Sequence, residues 1–214
     1  MSLSVIIPSR TASNLIPCAK AVQEHEPFAK IVVIDDGLRV AGFPFHRVIE
    51  GKKPFIFSRA VNQGIQTTSG DVVLLNDDAI LQTPGGFTEM QKLAEQHQEF
   101  GIISATTNVV GNPNQQPRGI GLREEARMVA FVCVLIPRRT IEQVGLLDER
   151  FIAYGFDDND YCRRVREAGL KIGIADQCFV DHASLISTFR GAAYSPGDIS
   201  QNAEIYRQKW GDLN

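Results

Sequence analysis

The chain has 214 residues, 43% hydrophobic and 22% charged, the composition of one ordinary globular domain large enough to bury its own core. A net charge of −3 excludes a broad basic field for nucleic acid or an anionic membrane, although not a local anion pocket. Its four cysteines, Cys18, Cys133, Cys162 and Cys178, are scattered without a CxxC pair or zinc spacing, so they read as buried free thiols of a reducing compartment.

Leu3-Ser4-Val5-Ile6-Ile7-Pro8 predicts a first strand that Pro8 stops, because proline cannot donate to a ladder. The loop Ser9-Arg10-Thr11 follows, with Thr11 or Ser13 to cap a helix over 14–25. Ile31-Val32-Val33-Ile34 is a second strand ending in Asp35-Asp36-Gly37, and His46-Arg47-Val48-Ile49 a short third. Residues 57–67 predict a helix, closed by the turn Ser69-Gly70. The chain is organised around what comes next, Asp71-Val72-Val73-Leu74-Leu75-Asn76-Asp77-Asp78-Ala79. A short apolar run bounded by turn residues reads as a buried strand, here over 72–76. This alternation of strands and helices argues for an α/β domain with a mostly parallel central sheet flanked by helices.

Downstream, residues 85–98 predict an amphipathic helix, with Phe87, Met90, Leu93 and Ala94 at helical spacing, and 102–105 a strand. Glycine, asparagine and proline crowd 108–124, which predicts a long functional loop. The longest apolar run, 128–136, predicts a central strand ended by Pro137, and 138–144 a short helix. Phe156-Asp157-Asp158-Asn159-Asp160 leads into a helix stopped by Gly169. Short strands are expected over 171–174 and 178–180, the latter ending in Asp181-His182. A loop over 190–199 and a last helix over 200–209, near Tyr206 and Trp210, close the chain. There is no repeat, low-complexity tract or linker, so residues 1–214 are expected to form a single domain. No apolar run reaches membrane-spanning length and no secretory leader opens the chain, so the expected location is the cytoplasm, without an integral membrane segment.

Three apolar strands end in acid: at Asp35/Asp36, at Asp77/Asp78 and at Asp181/His182. In an open sheet, ligands bind in the crevice beyond the carboxyl ends of the strands. Asn76-Asp77-Asp78 has two readings. One is a solvated turn, for which the residue types are well suited. The other is a site for a hard divalent cation, which takes oxygen ligands and would relieve the repulsion between adjacent carboxylates. A dinucleotide fingerprint is absent, since Gly119-x-Gly121 lacks its third glycine and follows no strand; there is no GxxxxGK[ST] loop either. Any nucleotide is then held by carboxylates, metal and scattered side chains.

The stretches VIIPSR, IVVIDDG, FSRAVNQGI, SGDVVLLNDDA, VGLLDERFIAYGFDDNDYCRRVREAGLKIG, VDH and YRQKWG, in this order and spacing, resemble the inverting nucleotide-sugar glycosyltransferases of the GT-A fold, most closely family 2 enzymes of the rhamnosyltransferase type. The resemblance covers nearly the whole chain. It implies a GT-A (Rossmann-like) fold and metal-dependent transfer of a sugar from a nucleoside diphosphate-sugar, UDP- or dTDP-linked, to a saccharide or other hydroxyl acceptor. Mn²⁺ or Mg²⁺ is the implied ion.

Residue by residue, Pro8, Ser9 and Arg10 match the first-strand loop that contacts the nucleoside. Asp36 matches the carboxylate that accepts from the base, and Asp35 is its neighbour or a brace of the loop. Arg59 matches an arginine facing the nucleotide-sugar. Asn76-Asp77-Asp78 matches the DXD-type motif, with Asp78 the metal ligand, Asp77 nearer the ribose, and Asn in the first place. His182 matches a histidine that completes the metal site. Asp157-Asp158 matches a Glu-Asp pair whose second member is the general base; Asp157 is one methylene shorter than the family's Glu. An inverting transfer needs such a carboxylate across from the leaving diphosphate, to take the acceptor's proton as its oxygen attacks.

From the residues alone, plainer roles stand beside these. Asp157 and Asp158 at a helix start also satisfy free N–H groups and the dipole. Asp160 and Arg164 are an i,i+4 pair of the structural kind. Tyr206 and Trp210 suit helix packing. Two other functions compete: a catalytically silent nucleotide-sugar binding module, and a sugar-nucleotide pyrophosphorylase. The second needs a glycine-rich basic loop after the first strand, which Pro8-Ser9-Arg10-Thr11 does not supply. The sequence leaves the donor sugar, the acceptor and the oligomeric state open.

Overall fold

A computed structural model describes residues 2–38, 43, 45–185 and 196–211. In chain order its elements are β1 (Leu3–Ser9), α1 (Ala12–His25), β2 (Lys30–Asp35), β3 (Arg47–Glu50), α2 (Phe57–Ile65), β4 (Asp71–Leu75), β5 (Ile80–Leu81) and α3 (Gly86–Gln96). There follow β6 (Phe100–Thr107), a 3₁₀ turn at Pro113–Gln115, β7 (Leu122–Glu125), β8 (Cys133–Ile136), α4 (Arg138–Val144), α5 (Asp157–Glu167), β9 (Lys171–Asp181) and α6 (Pro196–Trp210). The described strands form one sheet in the order β3-β2-β1-β4-β8-β6-β9-β5, with β7 also on β9. The β3-β2-β1-β4 part is parallel throughout. Antiparallel β8 then joins β4 to β6, and β9 runs parallel to β6. Two reversals cancel, so β1, β2, β4, β6 and β9 all point the same way and their carboxyl ends share one edge.

The sheet has helices on both faces, which is why its strands read as continuous apolar runs rather than alternating ones. Val5, Ile7, Val33, Val73 and Leu75 pack with Leu15, Cys18 and Val22 of α1 and Phe87 and Met90 of α3. Their neighbours Ile6, Val32, Ile34, Val72 and Leu74 point the other way, onto Phe57, Val61 and Ile65 of α2, Ile141 of α4, and Tyr161 and Val165 of α5. At the α2 contact the helix comes so close that a Cβ on Gly64 would lie 2.6 Å from Ile6 Cγ2.

Five expectations change. Pro8 does not end β1, which continues through Ser9 beside β2. Pairing with β4 stops at Ile6, so Pro8 sits where one flank of the strand carries no ladder, a place proline tolerates. The apolar run 128–136 is a strand only from Cys133. Upstream, loop side chains replace the ladder: Asn112 Nδ2 donates to Met128 O, and Gln115 bonds both the N–H and the carbonyl of Ala130. Segment 108–124 holds the 3₁₀ turn and the start of β7. There the Asp176 carboxylate accepts from the backbone of Arg118 and Ile120 and pairs with Arg123. The two short strands after Gly169 are one strand, β9, whose register against β6 shifts between Ala105 and Thr106. Within the expected 190–199 loop, residues 190–195 lie outside the described residues, and from Pro196 the chain is helical.

Candidate active site

The common edge collects the acidic tips. At the end of β2, Asp35 Oδ1 accepts from the N–H of Gly37 (2.7 Å) and of Leu38 (2.5 Å), holding the turn closed. Asp36 is buried, its N–H bonded to Ser9 O (2.8 Å). Its carboxylate lies between two cations, Arg10 at 3.1 Å and Lys53, whose Nζ also donates to Asp36 O (2.9 Å). Arg59 lies in the first turn of α2. It donates to the carbonyls of Lys52 (3.4 Å) and Pro54, bracing the loop that carries Lys53. Pro8 and Ser9 belong to β1, and Ser9 Oγ donates to Asp77 Oδ2 at 2.5 Å. This bond ties the β1 tip to the β4 tip.

Asp77 and Asp78 are both buried, an arrangement that carboxylates tolerate only with partners. Asp78 Oδ1 lies 3.1 Å from His182 Nε2, just past β9. His182 Nδ1 lies 2.7 Å from the carbonyl of Val109. A carbonyl only accepts, so Nδ1 carries a proton, and Nε2 faces the carboxylate, where either a proton or a cation joins the two. A backbone carbonyl on one ring nitrogen is the usual way a histidine is oriented to ligate through the other. One carboxylate oxygen and one imidazole nitrogen at this spacing fit a divalent cation. Among the described residues no three His, Cys, Asp or Glu side chains gather to hold an ion, so a cation here keeps open positions for a ligand's oxygens.

The second half of the site comes from the start of α5. Asp157 is buried and turns back, its Oδ1 accepting from Gly155 N–H (3.0 Å). Asp158 Oδ1 accepts from Asn159 N–H (2.8 Å). Burial raises both carboxyls above the ordinary aspartate range, and for Asp157 the neighbouring Asp158 charge adds to it. Both line an open pocket with Phe57, Asn76, Ala130, Phe131, Val132 and Tyr154. Asn76, first residue of the β4 tip, thus meets the carboxylate pair across one cavity. Asp36, Arg10 and Arg59 are not in that lining and form a neighbouring group joined to it through Ser9 and Asp77.

Sequence reasoning missed Lys53, for which the only signal was a Lys-Lys pair ahead of α2 and an acid needing a cation. It also missed Val109, because a backbone carbonyl carries no residue signature.

No family model matches the chain. A curated relative, "Uncharacterized protein y4gI" of Sinorhizobium fredii (strain NBRC 101917 / NGR234), is 24% identical over 206 residues, spanning 78% of this chain and 23% of that protein. Among solved structures, GalNAc-T7 with UDP, GalNAc and Mn²⁺ matches 99% of the chain at a TM-score of 0.76 and 12% identity, over 48% of its own length. S. aureus TarS with UDP-GlcNAc matches 100% of the chain and 68% of its own at 0.69 and 12%. The mannosyltransferase PcManGT of Pyrobaculum calidifontis, with GDP-Man and Mn²⁺, matches 86% and 57% at 0.67 and 15%. The chain therefore spans about a quarter of the curated relative and about half of GalNAc-T7. Its mixed sheet, helical layers and these neighbours make it a GT-A fold.

Proposed function

We propose that the chain is a metal-dependent inverting glycosyltransferase, of the family 2, rhamnosyltransferase-like kind, with Asp158 as general base. Its donor is a nucleoside diphosphate-sugar, UDP- or dTDP-linked, and its acceptor a hydroxyl, most simply of a saccharide. The observation that carries the reading is the shared pocket in which Asn76 faces Asp157 and Asp158, with Asp78 two residues further along the same tip and His182, just past β9, beside Asp78. The nucleotide-sugars and Mn²⁺ bound by the structural neighbours support it.

On this reading Asp78 and His182 hold Mn²⁺ or Mg²⁺, which when bound neutralises charge building on the leaving diphosphate. Asp36 accepts from the base, with Arg10 and Lys53 beside it. Asp77, oriented by Ser9, faces the ribose. Asp158 removes the acceptor hydroxyl's proton as that oxygen attacks the anomeric carbon. The new C–O bond forms as the bond to the diphosphate breaks on the opposite face. Phe57, Phe131 and Tyr154 line the pocket beside Asp158 with apolar ring surface.

The test is a thermal-shift panel of nucleotides and nucleotide-sugars with and without Mn²⁺, followed by assay of acceptor-dependent nucleoside diphosphate release. A ligand that binds only the folded chain raises its melting temperature. One nucleoside diphosphate should do so, and only with metal present. Asp158→Asn should keep donor binding and lower transfer by about 10²–10⁴-fold. Metal-dependent binding with no turnover on any acceptor would instead identify a binding module, and unchanged turnover in Asp158→Asn would remove Asp158 from its role.

A further inference from the structure

Asp157 and Asp158 are delivered by a segment with almost no regular structure. From Gly145 to Phe156 the chain has neither helix nor strand, only a single bridge between Ile56 and Ala153. It ends in a turn with three left-handed residues, Ala153 (φ 48°), Gly155 (φ 108°) and Phe156 (φ 65°). Side chains other than glycine avoid this region, so such a turn persists only when the surroundings enforce it.

The enforcement comes from α6. Asn202 is fully buried there, and its amide is spent on this one turn. Oδ1 accepts from Ile152 N–H at 2.9 Å. Nδ2 donates to the carbonyls of Ile152 (2.8 Å), Tyr154 (3.3 Å) and Gly155 (2.9 Å). Only an amide of this length offers both acceptor and donor; an aspartate would turn an oxygen on three carbonyls. The next turns of α6 grip the same region. Ile199 packs where a side chain on Gly155 would go, 3.0 Å from an ideal Cβ. Tyr206 packs against Phe156 with ring centres 5.6 Å apart and tilted by 48°, and Trp210 Nε1 and Lys209 Nζ both reach Asp160 Oδ1, at 2.9 and 2.7 Å.

Asn202 does not line the pocket and touches neither carboxylate of the pair. Its effect passes through Gly155, whose carbonyl it holds and whose N–H donates to Asp157 Oδ1. We propose that Asn202 is a positioning residue for the transfer step, holding the left-handed turn so that Asp157 and Asp158 stand in the pocket beside Tyr154. The inference rests on Asp158 as the base.

A second buried asparagine supplies the control. Asn62 of α2 bonds both the N–H and the carbonyl of Leu147 (2.9 Å each), and Glu149, at the far end of the same segment. The experiment compares Asn202→Ala, Asn62→Ala and wild type for melting temperature, UDP and dTDP affinity with Mn²⁺, and kcat and donor KM over a panel of UDP- and dTDP-sugars. Both variants should lose stability. Only Asn202→Ala should lose kcat, by about 10²-fold, the size of loss that a misplacement near 1 Å brings. Its nucleotide affinity and donor KM should stay at wild-type values. If Asn202→Ala does not fold, Gly155→Ala strains the same turn and should show the same split. Equal kcat losses in the two asparagine variants, or full kcat in a folded Asn202→Ala or Gly155→Ala, would overturn the positioning role while leaving the transferase reading intact. A wild-type chain that binds nucleotide but turns over no donor would overturn both.

Discussion

Two aspartates adjacent in sequence, Asp157 and Asp158, carry the proposed chemistry, and their environment is unusual for the start of a helix. Helix N-termini normally stabilise carboxylates. Here loss of water outweighs the dipole, and both groups are raised. The sign follows directly. The folded chain retains protons that the unfolded chain has released above the ordinary aspartate value of about 3.9. Ionising the pair as pH rises through that range and the folded range above it therefore removes stability. A base works only when deprotonated, so kcat/KM should fall on acidification along a limb lying above the ordinary carboxylate range. A limb near pH 4 in the rate profile would contradict it. Asp158→Asn, which cannot ionise, should be at least as stable as wild type at neutral pH by urea titration, even though it transfers poorly. In the sequence these residues could be named but not graded. Neighbouring aspartates announce a site or a cap, and only the cavity with Asn76, Phe131 and Tyr154 distinguishes them.

At the scale of elements, the parts that sequence patterning missed are those held by side chains reaching across the fold. The N-cap of α3 is Gly85, in the left-handed region (φ 67°) and without a side chain to cap anything. Glu26, at the end of α1, does the capping from a distance. Its Oε1 accepts from Phe87 N–H (2.5 Å) and Thr88 N–H (2.9 Å), and its Oε2 from the Thr88 hydroxyl (2.7 Å). Glu26→Ala would leave these donors buried and should lower the unfolding free energy by roughly 2 kcal/mol. Glu26→Gln, which keeps one oxygen, should lose less. Equal stability of Glu26→Ala and wild type in urea would refute the long-range cap. Residues 128–132 make the same point. Their apolar run suggests a strand, yet Asn112 and Gln115 supply the bonds a ladder would have made.

Over the whole molecule, the sheet binds everything together, because its central strands feed a cluster on each face. We expect the described part of the chain to unfold as one unit. Fluorescence of Trp210, the single tryptophan, and far-UV circular dichroism should then trace the same urea transition, and separated midpoints would indicate two units. Local sequence determined the α/β class, the helix positions and the acidic strand tips. Apolar periodicity, turn residues and terminal acids are local signals, and the buried parallel core of β1, β2 and β4 obeys them. Tertiary structure alone decided that β8 reverses direction between β4 and β6 and that Lys53 joins Arg10 beside Asp36, whereas the meeting of His182 with Asp78 was implied by the resemblance. Tertiary structure alone also decided that Asn202 of the last helix steadies the turn before Asp157. Each of these pairings joins residues far apart in the chain, and a hydrogen bond to a backbone carbonyl or a cation beside an acid leaves no periodic trace in sequence.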